Sequence, residues 1–424
     1  MKNKKIIISN GFNNFPLRFI AEGLNKKGYD VIFLTGFYPY KKILEILSLF
    51  KLNKFEPFQR FANRKIDFPE SKIHSFFLAE LMHFISANTF KRLRIFKSFW
   101  KFFDFKSAQF YHFKANTIIN KLKKSENYVY LCRAGYGGIS LLNKKIENTF
   151  VQHNNVHPKV MNTSIRKKGE INNKTKFQDK IDGLFLHIVK DMNNAKYIIT
   201  SGKQAVYANK LFFKKHTKQN KKVLHVDDQV PSVYLKYLKK NKIKKNFKKK
   251  TILKVCYLGS FTERKGGEVL IDVIKKFNPK KIELNIITNN FDVKYKEIIE
   301  KYENKKNLNF LVNIKLEEII KKMLQTHVFI FPSYSEGLAR SPIEALACGN
   351  YIILSKIFMK DYDIKNLAIS FLDQKHPKLW IKKLYKIRNG LNIPNKVFRR
   401  NNQLALKYFS HENFIKSYIK HLNI

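Results

Sequence analysis

With 424 residues, the chain is long enough for two or three domains of ordinary size, and 44% of it is hydrophobic, in short apolar bursts that suit packed cores. No run approaches the roughly 20 apolar residues that a membrane-spanning helix needs, which excludes such a helix. Lys and Arg number 83 against 32 Asp and Glu, a formal net charge of +51, so the chain carries a strong positive field.

Three readings of that charge stand: nucleic acid, an anionic membrane surface, or a general compositional bias. Heavy use of Asn, Ile and Phe, and the preference for Lys over Arg, support the third. Cys132, Cys256 and Cys348 are isolated, each in or beside an apolar run, and read as buried free thiols in a reducing compartment. The apolar run near the N-terminus is too short for a signal sequence. The expectation is a cytoplasmic chain, soluble or peripheral on the inner face of the cell membrane.

Lys5 to Ser9 is a short β-rich run that ends in Asn10-Gly11. A helical pattern from about Pro16 to Lys27 follows, closed by Gly28, and "YDVIFLT" (Tyr29–Thr35) is the next strand. This is a βαβ opening with Gly11 in its first loop. From Lys41 to Lys124 the pattern is helical and rich in Phe, Leu, Lys and Arg. Within it, "FKRLRIFKSFWKFFDF" (Phe90–Phe105) interleaves aromatic and basic residues. It reads either as an interfacial helix on anionic lipid or as an amphipathic core helix with a solvated basic face.

Strands resume at Tyr128–Cys132, followed by the loop Arg133 to Gly138, and at Asn148–Gln152, which ends in His153. Further strands are Ala195–Ser201 and Lys221–Val226, with Asp227-Asp228 in a junction turn. Lys236 to Lys250 is very basic and of low complexity, and reads as a solvated linker. A second βα series runs from Ile252 to Ser355. Such alternation argues an α/β fold with parallel sheets covered on both faces. The expected plan is two Rossmann-like domains facing a central cleft: 1–200, a junction at 201–250, and 251–400. A helix over about 401–424 is a candidate to pack back on the first domain.

Ligands in open parallel sheets bind beyond the carboxyl ends of the strands. One loop so placed is Gly259 to Gly267, which opens a helix and carries Arg264 and Lys265. It reads as a diphosphate site or as a charged surface turn. A second loop, Ser333 to Gly337, follows Pro332. Ser341-Pro342-Ile343-Glu344 then reads as a capping box, with Ser341 as the N-cap and Pro342 at the first helical position. Glu344 is thus either a cap partner or an acceptor of two ribose hydroxyl bonds at the cleft mouth. Glu336 has no capping role; it suits sugar hydroxyls or a developing positive charge, with the N–H groups of Gly337 and Leu338 beside it for an oxyanion.

"GSFTERKGG" followed by "PSYSEGLARSPIEALACGN" resembles glycosyltransferase family 4, the retaining group 1 glycosyltransferases of GT-B fold. Their hallmark is two glutamates separated by seven residues, with an Arg/Lys pair in the earlier loop; Glu336 and Glu344 have that spacing. The resemblance implies that Arg264 and Lys265 neutralise the donor diphosphate, Glu336 contacts the donor sugar near its reacting centre, and Glu344 binds the ribose. It further implies that Gly337 and Leu338 offer N–H groups, that Gly259 and Gly11 border the diphosphate, and that His153 stands near the donor sugar. The first loop here reads "NGFNNFP" where relatives carry a double glycine. Any His/Cys cluster of ligand spacing is missing from the sequence, and Arg264 and Lys265 can carry the phosphate charge, so no metal and no cofactor are expected.

The expected substrates are a nucleotide-sugar donor and a cell-envelope glycan or lipid-linked acceptor of the lipopolysaccharide or capsule type. The basic, aromatic N-terminal region motivates that acceptor and an anionic membrane surface as partner. A nucleic-acid-binding protein is the rival reading, but no helix-turn-helix, RNP, KH or zinc spacing appears and the charge is spread along the chain. A sugar-nucleotide epimerase or a phosphorylase on the same fold is another.

Overall fold

A computed structural model describes residues 4–12, 16–51, 56–86, 99–123, 126–177, 180–216, 221–241, 243–390 and 393–424. The first half runs β1 (Lys5–Gly11), α1 (Leu17–Lys26), β2 (Val31–Thr35), α2 (Lys41–Leu49), α3 (Glu56–Ala62), β3 (Ile73–Ser75), α4 (Phe77–Ile85), α5 (Phe99–Lys121), β4 (Tyr128–Arg133), β5 (Ile146–Gln152), α6 (Pro158–Arg166), α7 (Leu184–Asn194), β6 (Tyr197–Thr200), α8 (Lys203–His216) and β7 (Lys222–His225). The second half runs α9 (Ser232–Lys240), β8 (Leu253–Leu258), α10 (Gly267–Lys276), β9 (Ile282–Thr288), α11 (Lys296–Tyr302), β10 (Leu308–Val312), α12 (Leu316–Gln325), β11 (Val328–Phe331), α13 (Arg340–Ala347), β12 (Tyr351–Ser355), β13 (Ile369–Leu372), α14 (Pro377–Gly390), α15 (Asn395–Tyr408) and α16 (His411–Leu422).

The strands form two parallel sheets, ordered β3-β2-β1-β4-β5-β6-β7 and β10-β9-β8-β11-β12-β13. Each is a Rossmann-like domain. Continuous apolar runs such as Ile6, Ile7 and Ile8 suit strands buried on both faces. Ile7 packs into the core with Tyr111 and Tyr130, while Ile6 and Ile8 face the opposite core, with Leu17 and Ile20 of α1, as a period of two demands. Strand order reverses between β1 and β4 and between β8 and β11, so each domain has a crevice at the carboxyl ends of those strands. Among the described residues no helix is long and apolar enough to cross a membrane.

Three features differ from the sequence reading. The first sheet takes β7, because Val223 and Leu224 pair with Ile198 and Ile199, so the first domain reaches past residue 200 to His225. The basic stretch before residue 250 is no solvated linker: α9 occupies its start, and Ile243, Lys245 and Phe247 are buried. Alternate residues point inward there, so the lysine run hides an extended apolar face; Lys245 Nζ donates to the carbonyls of Met323 at 3.3 Å and Thr326 at 2.8 Å.

The expected last helix is two helices, broken at Phe409 and Ser410, where Ser410 caps α16 by accepting the Asn413 N–H. α15 stays with the second domain through Phe398 and Ala405. α16 crosses to the first, burying Phe414, Ile415, Tyr418 and Leu422 with α1. Of the aromatic-basic stretch Phe90–Phe105, residues 90–98 lie outside the described residues, and Phe99 onward begins α5.

Candidate active site

The loops after β8 and β11 meet at the second crevice, and backbone bonds stitch them together. Tyr334 N–H and Ser333 Oγ both donate to the Arg264 carbonyl, at 2.8 and 3.0 Å. Gly266, at φ +81°, precedes α10; a Cβ there would stand 2.2 Å from the Pro332 carbonyl oxygen, so the approach needs glycine. Gly259 directly follows β8, with its N–H donating to the Ile287 carbonyl at 3.0 Å.

This stitching brings Arg264, Lys265 and Glu336 together. Glu336 Oε1 accepts from Arg264 Nη1 at 2.5 Å, Lys265 Nζ at 2.6 Å and Ser333 Oγ at 3.0 Å. Arg264 Nη1 also donates to the Ser335 carbonyl at 2.9 Å. Burial pushes the Glu336 carboxyl up, but the Lys265 and Arg264 charges outweigh it and hold the group below the usual carboxylate range. Burial lowers Lys265, and Glu336 only partly restores it. The result is a partly exposed guanidinium and a more buried ammonium held by one carboxylate, a chemistry suited to an anionic ligand.

Gly337 and Leu338 face the first domain. A Cβ on Gly337 would lie 2.3 Å from the Asn154 carbonyl oxygen and 2.7 Å from that of Ser201. Leu338 N–H points to Ser201 Oγ at 3.4 Å. The residue after His153 therefore touches the loop that carries Glu336. His153 itself directly follows β5, buried, with Nε2 3.1 Å from the Val156 carbonyl. Facing a carbonyl, Nε2 carries the hydrogen, which leaves Nδ1 as an acceptor. Burial, then the Arg133 charge, push its pKa down to about 4, so the ring is neutral.

Gly11 lies at the end of β1, in the first domain. Its φ is +74°, and a Cβ would strike the Tyr136 ring at 2.3 Å; its N–H donates to Tyr111 Oη at 3.2 Å.

Glu344 sits in the first turns of α13, but the capping box does not form. The helix begins at Arg340 with Ala339 as N-cap and no side-chain cap, so Ser341 and Pro342 fall inside the first turn. The competing claim is Arg340, whose Nε donates to Asp228 Oδ2 at 3.0 Å across the domain boundary, and the helix starts two residues early. Glu344 is instead bonded by Tyr234 Oη, at 3.2 Å on Oε2. Burial raises its carboxyl to about 7, against the Arg340 charge and the Tyr234 bond.

Several residues here carried little signal in the sequence. Asp228 read as a turn residue, yet it is buried and pairs with Arg340. Arg340 also acts on Arg18 of α1 and on Arg133 at the end of β4, both lowered first by burial. In a chain where only 12 of the 83 basic residues are Arg, that concentration at the cleft was the available clue. Asp191 of α7 had none: Gly135 N–H and Gly137 N–H donate to its Oδ2, and Gly138 N–H to its Oδ1, each at 2.8 Å. Its carboxyl is pushed up to about 6 by burial, with those three bonds opposing. Among the described residues no three His, Cys, Asp or Glu side chains gather into a metal-holding group.

Residues 239–387 match the family described as Glycosyl transferases group 1. No curated protein matches the chain. Among solved structures, sucrose-phosphate synthase from Thermosynechococcus elongatus is similar at 13% identity and a TM-score of 0.58, over 99% of this chain and 98% of that one. The α,α-trehalose-phosphate synthase (UDP-forming) from Burkholderia vietnamiensis gives 9% and 0.59, over 100% and 98%. A point mutant of S. aureus TarM, in complex with fondaparinux, α-GlcNAc-glycerol and UDP, gives 12% and 0.60, over 100% of both chains. The two sheets and their end-to-end agreement with these structures make the fold GT-B, two Rossmann-like domains joined across a cleft.

Proposed function

We propose that the chain is a retaining glycosyltransferase of family 4, moving a hexosyl unit from a nucleotide sugar to a hydroxyl of a cell-envelope glycan or lipid-linked acceptor. One observation carries the reading: Arg264 and Lys265 converge on Glu336 beyond the ends of β8 and β11. In this reading the cation pair receives the donor diphosphate and Glu344 receives the ribose hydroxyls. Glu336 turns to the sugar, where a carboxylate favours the positive charge growing at the anomeric carbon. The bond from that carbon to the phosphate oxygen breaks, and its electron pair leaves on the diphosphate. The acceptor oxygen bonds to the same face of the sugar, and its proton passes to the departing phosphate. Neutral His153 offers an acceptor nitrogen to a sugar hydroxyl from the opposite domain, and Gly11 and Gly259 border the diphosphate.

The match of residues 239–387 to group 1 glycosyltransferases supports this reading, as does the UDP held by the TarM complex of the same fold. The net charge of +51 favours work at an anionic, cytoplasmic membrane face. The test is a panel of nucleotide sugars scored by thermal shift, since a ligand of the folded state raises Tm, followed by the anomeric configuration of the product by NMR. No stabilising nucleotide sugar, or an inverted product, ends the reading. So does a Glu336→Ala/Glu344→Ala double variant that transfers at the parent rate.

A further inference from the structure

The first domain holds a cavity of about 900 Å³ away from the Glu336 site, near the top of the range for small-molecule sites. α4, α5, α7 and the 3-10 turn Gly138–Leu142 enclose it. Its wall is apolar and open to water: Leu78 is 61% exposed, Phe113 60%, Ile139 53% and Leu142 65%. Contiguous apolar surface of this kind marks a binding face.

Charge narrows the occupant. The acidic lining residue, Asp191, is consumed by the three glycine N–H groups, and His112 and His187 are neutral, both pushed by burial to about 4. The charged groups that remain for a ligand are the ammonium of Lys106, which also donates to Gln109 Oε1 at 3.3 Å, and that of Lys190, beside the amides of Gln109 and Asn194. Gly138 and Asp191 are among the lining residues. The same loop, from Arg133 to Gly138, presents Tyr136 to Gly11 on its other side, and Tyr136 O accepts from Ser9 Oγ at 3.1 Å. One loop thus separates the apolar cavity from the strand ends at the cleft.

We propose that this cavity takes the aliphatic chain of a phosphate-bearing lipid acceptor, with Lys106 and Lys190 meeting the phosphate and the rest of the head group reaching over the loop towards Gly11 and His153. The proposal rests on the glycosyl-transfer reading only in calling the lipid an acceptor; tail binding is measured without a donor.

The experiment titrates the full chain with dodecyl phosphate below its micelle concentration, with butyl phosphate and inorganic phosphate alongside, by thermal shift and calorimetry. Dodecyl phosphate raises Tm and the two short anions do not. Phe113→Ser and Leu142→Ser, at water-exposed positions, leave the unliganded Tm within about 2 °C. Each weakens dodecyl phosphate about tenfold, in line with the apolar area removed. Ile139→Ser, on the 3-10 turn, covers the case in which either fails to fold. The double Lys106→Gln/Lys190→Gln variant weakens binding and flattens its salt dependence. Nucleotide-sugar shifts are unchanged in all of these variants, so a failed glycosyl-transfer reading and a failed tail site give different results. Binding indifferent to chain length, or unmoved in the serine variants, overturns the proposal. So does a parent dimer that Leu142→Ser dissolves, or binding to phosphatidylglycerol vesicles with none to the monomeric lipid.

Discussion

Lys265 Nζ stands 2.6 Å from Glu336 Oε1, and Arg264 Nη1 reaches the same oxygen from 2.5 Å. Two cations of the β8 loop thus share one acid of the β11 loop and keep a net positive charge, in surroundings where Glu336 is only 7% exposed. Buried charges left unpaired are strongly destabilising, so Glu336 is the counter-ion that lets this loop exist unliganded. A diphosphate carries more negative charge and matches the Arg fork better, which sets up an exchange of anions on the same two cations.

That exchange predicts a split between binding and rate in Glu336→Gln. The amide keeps the shape and removes the competing charge, so the affinity for the donor's nucleoside diphosphate holds or rises. Transfer falls about 100-fold or more, the scale of a lost charge-stabilising group. Calorimetry and steady-state kinetics on the same preparation check both. Stability moves as well: an acid held below its ordinary pKa stabilises the fold above its unfolded value and loses that contribution as pH falls through the folded value. Parent Tm therefore drops more steeply than that of Glu336→Gln on acidification below the usual carboxylate range. Binding and rate lost together would reduce Glu336 to scaffolding.

Gly337→Ala tests the contact between the domains. Its Cβ would stand 2.3 Å from the Asn154 carbonyl oxygen, and a Cβ on Gly202, at φ +84°, would stand 2.4 Å from the Gly337 carbonyl carbon. Neither backbone can yield cheaply, so the domains separate instead of the cores repacking. The expected outcome is a larger radius of gyration by small-angle scattering, a Tm change of only a few degrees, and transfer reduced at least about tenfold. Gly202→Ala does the same, and the double variant is no worse than either single one, because both act on one contact.

How much of this was legible in the sequence follows from which forces are local. The alternation of apolar runs with helical patterns gave two parallel sheets, since runs such as Ile6 to Ile8 declare burial on both faces. Arg264, Lys265 and Glu336 were named because they flank strand ends, and strand ends are readable. The Ser341 cap failed because a distant partner, Asp228, holds Arg340; local capping chemistry lost to a contact 112 residues away in sequence. The run before residue 250 was misread because lysine dominated its composition while its period of two, in Ile243, Lys245 and Phe247, carried the structure. Asp191 was invisible for the same reason as Asp228: its partners are backbone N–H groups that only the fold brings near.

Glu344 gives a pH dependence with a definite sign. Burial raises its carboxyl from 4.5 to about 7, whereas an acceptor of ribose hydroxyls works best ionised. Donor affinity therefore climbs between about pH 6 and pH 8 in the parent and is flat there in Glu344→Gln, which binds more weakly at pH 8. For stability, the folded state holds the extra proton between 4.5 and 7, so that contribution is full below the window and is lost as pH rises through it. Glu344→Gln thus gains on the parent by on the order of 2–3 kcal/mol between pH 5 and pH 8. Denaturant melts across that range, with calorimetry in parallel, decide it; a variant whose deficit is constant with pH would mean the parent carboxylate is ionised throughout.

Asp191→Asn tests the loop that separates the cleft from the apolar cavity. Both carboxylate oxygens are in use, Oδ2 twice and Oδ1 once, each at 2.8 Å from a glycine N–H. An amide of the same size has one acceptor oxygen, and its NH₂ must face at least one backbone N–H, so a donor meets a donor. The expected cost is about 3 kcal/mol, the scale of a lost bond to a charged group plus a stranded donor. It should appear as a lower urea midpoint at an unchanged m-value, because the compactness of both end states is untouched. The loop also carries Tyr136 onto Gly11 and Arg133 beside His153, so loosening it raises KM for the acceptor while nucleotide affinity in the second domain stays at the parent value. A variant as stable as the parent would show that the three N–H groups find water as readily as they find Asp191.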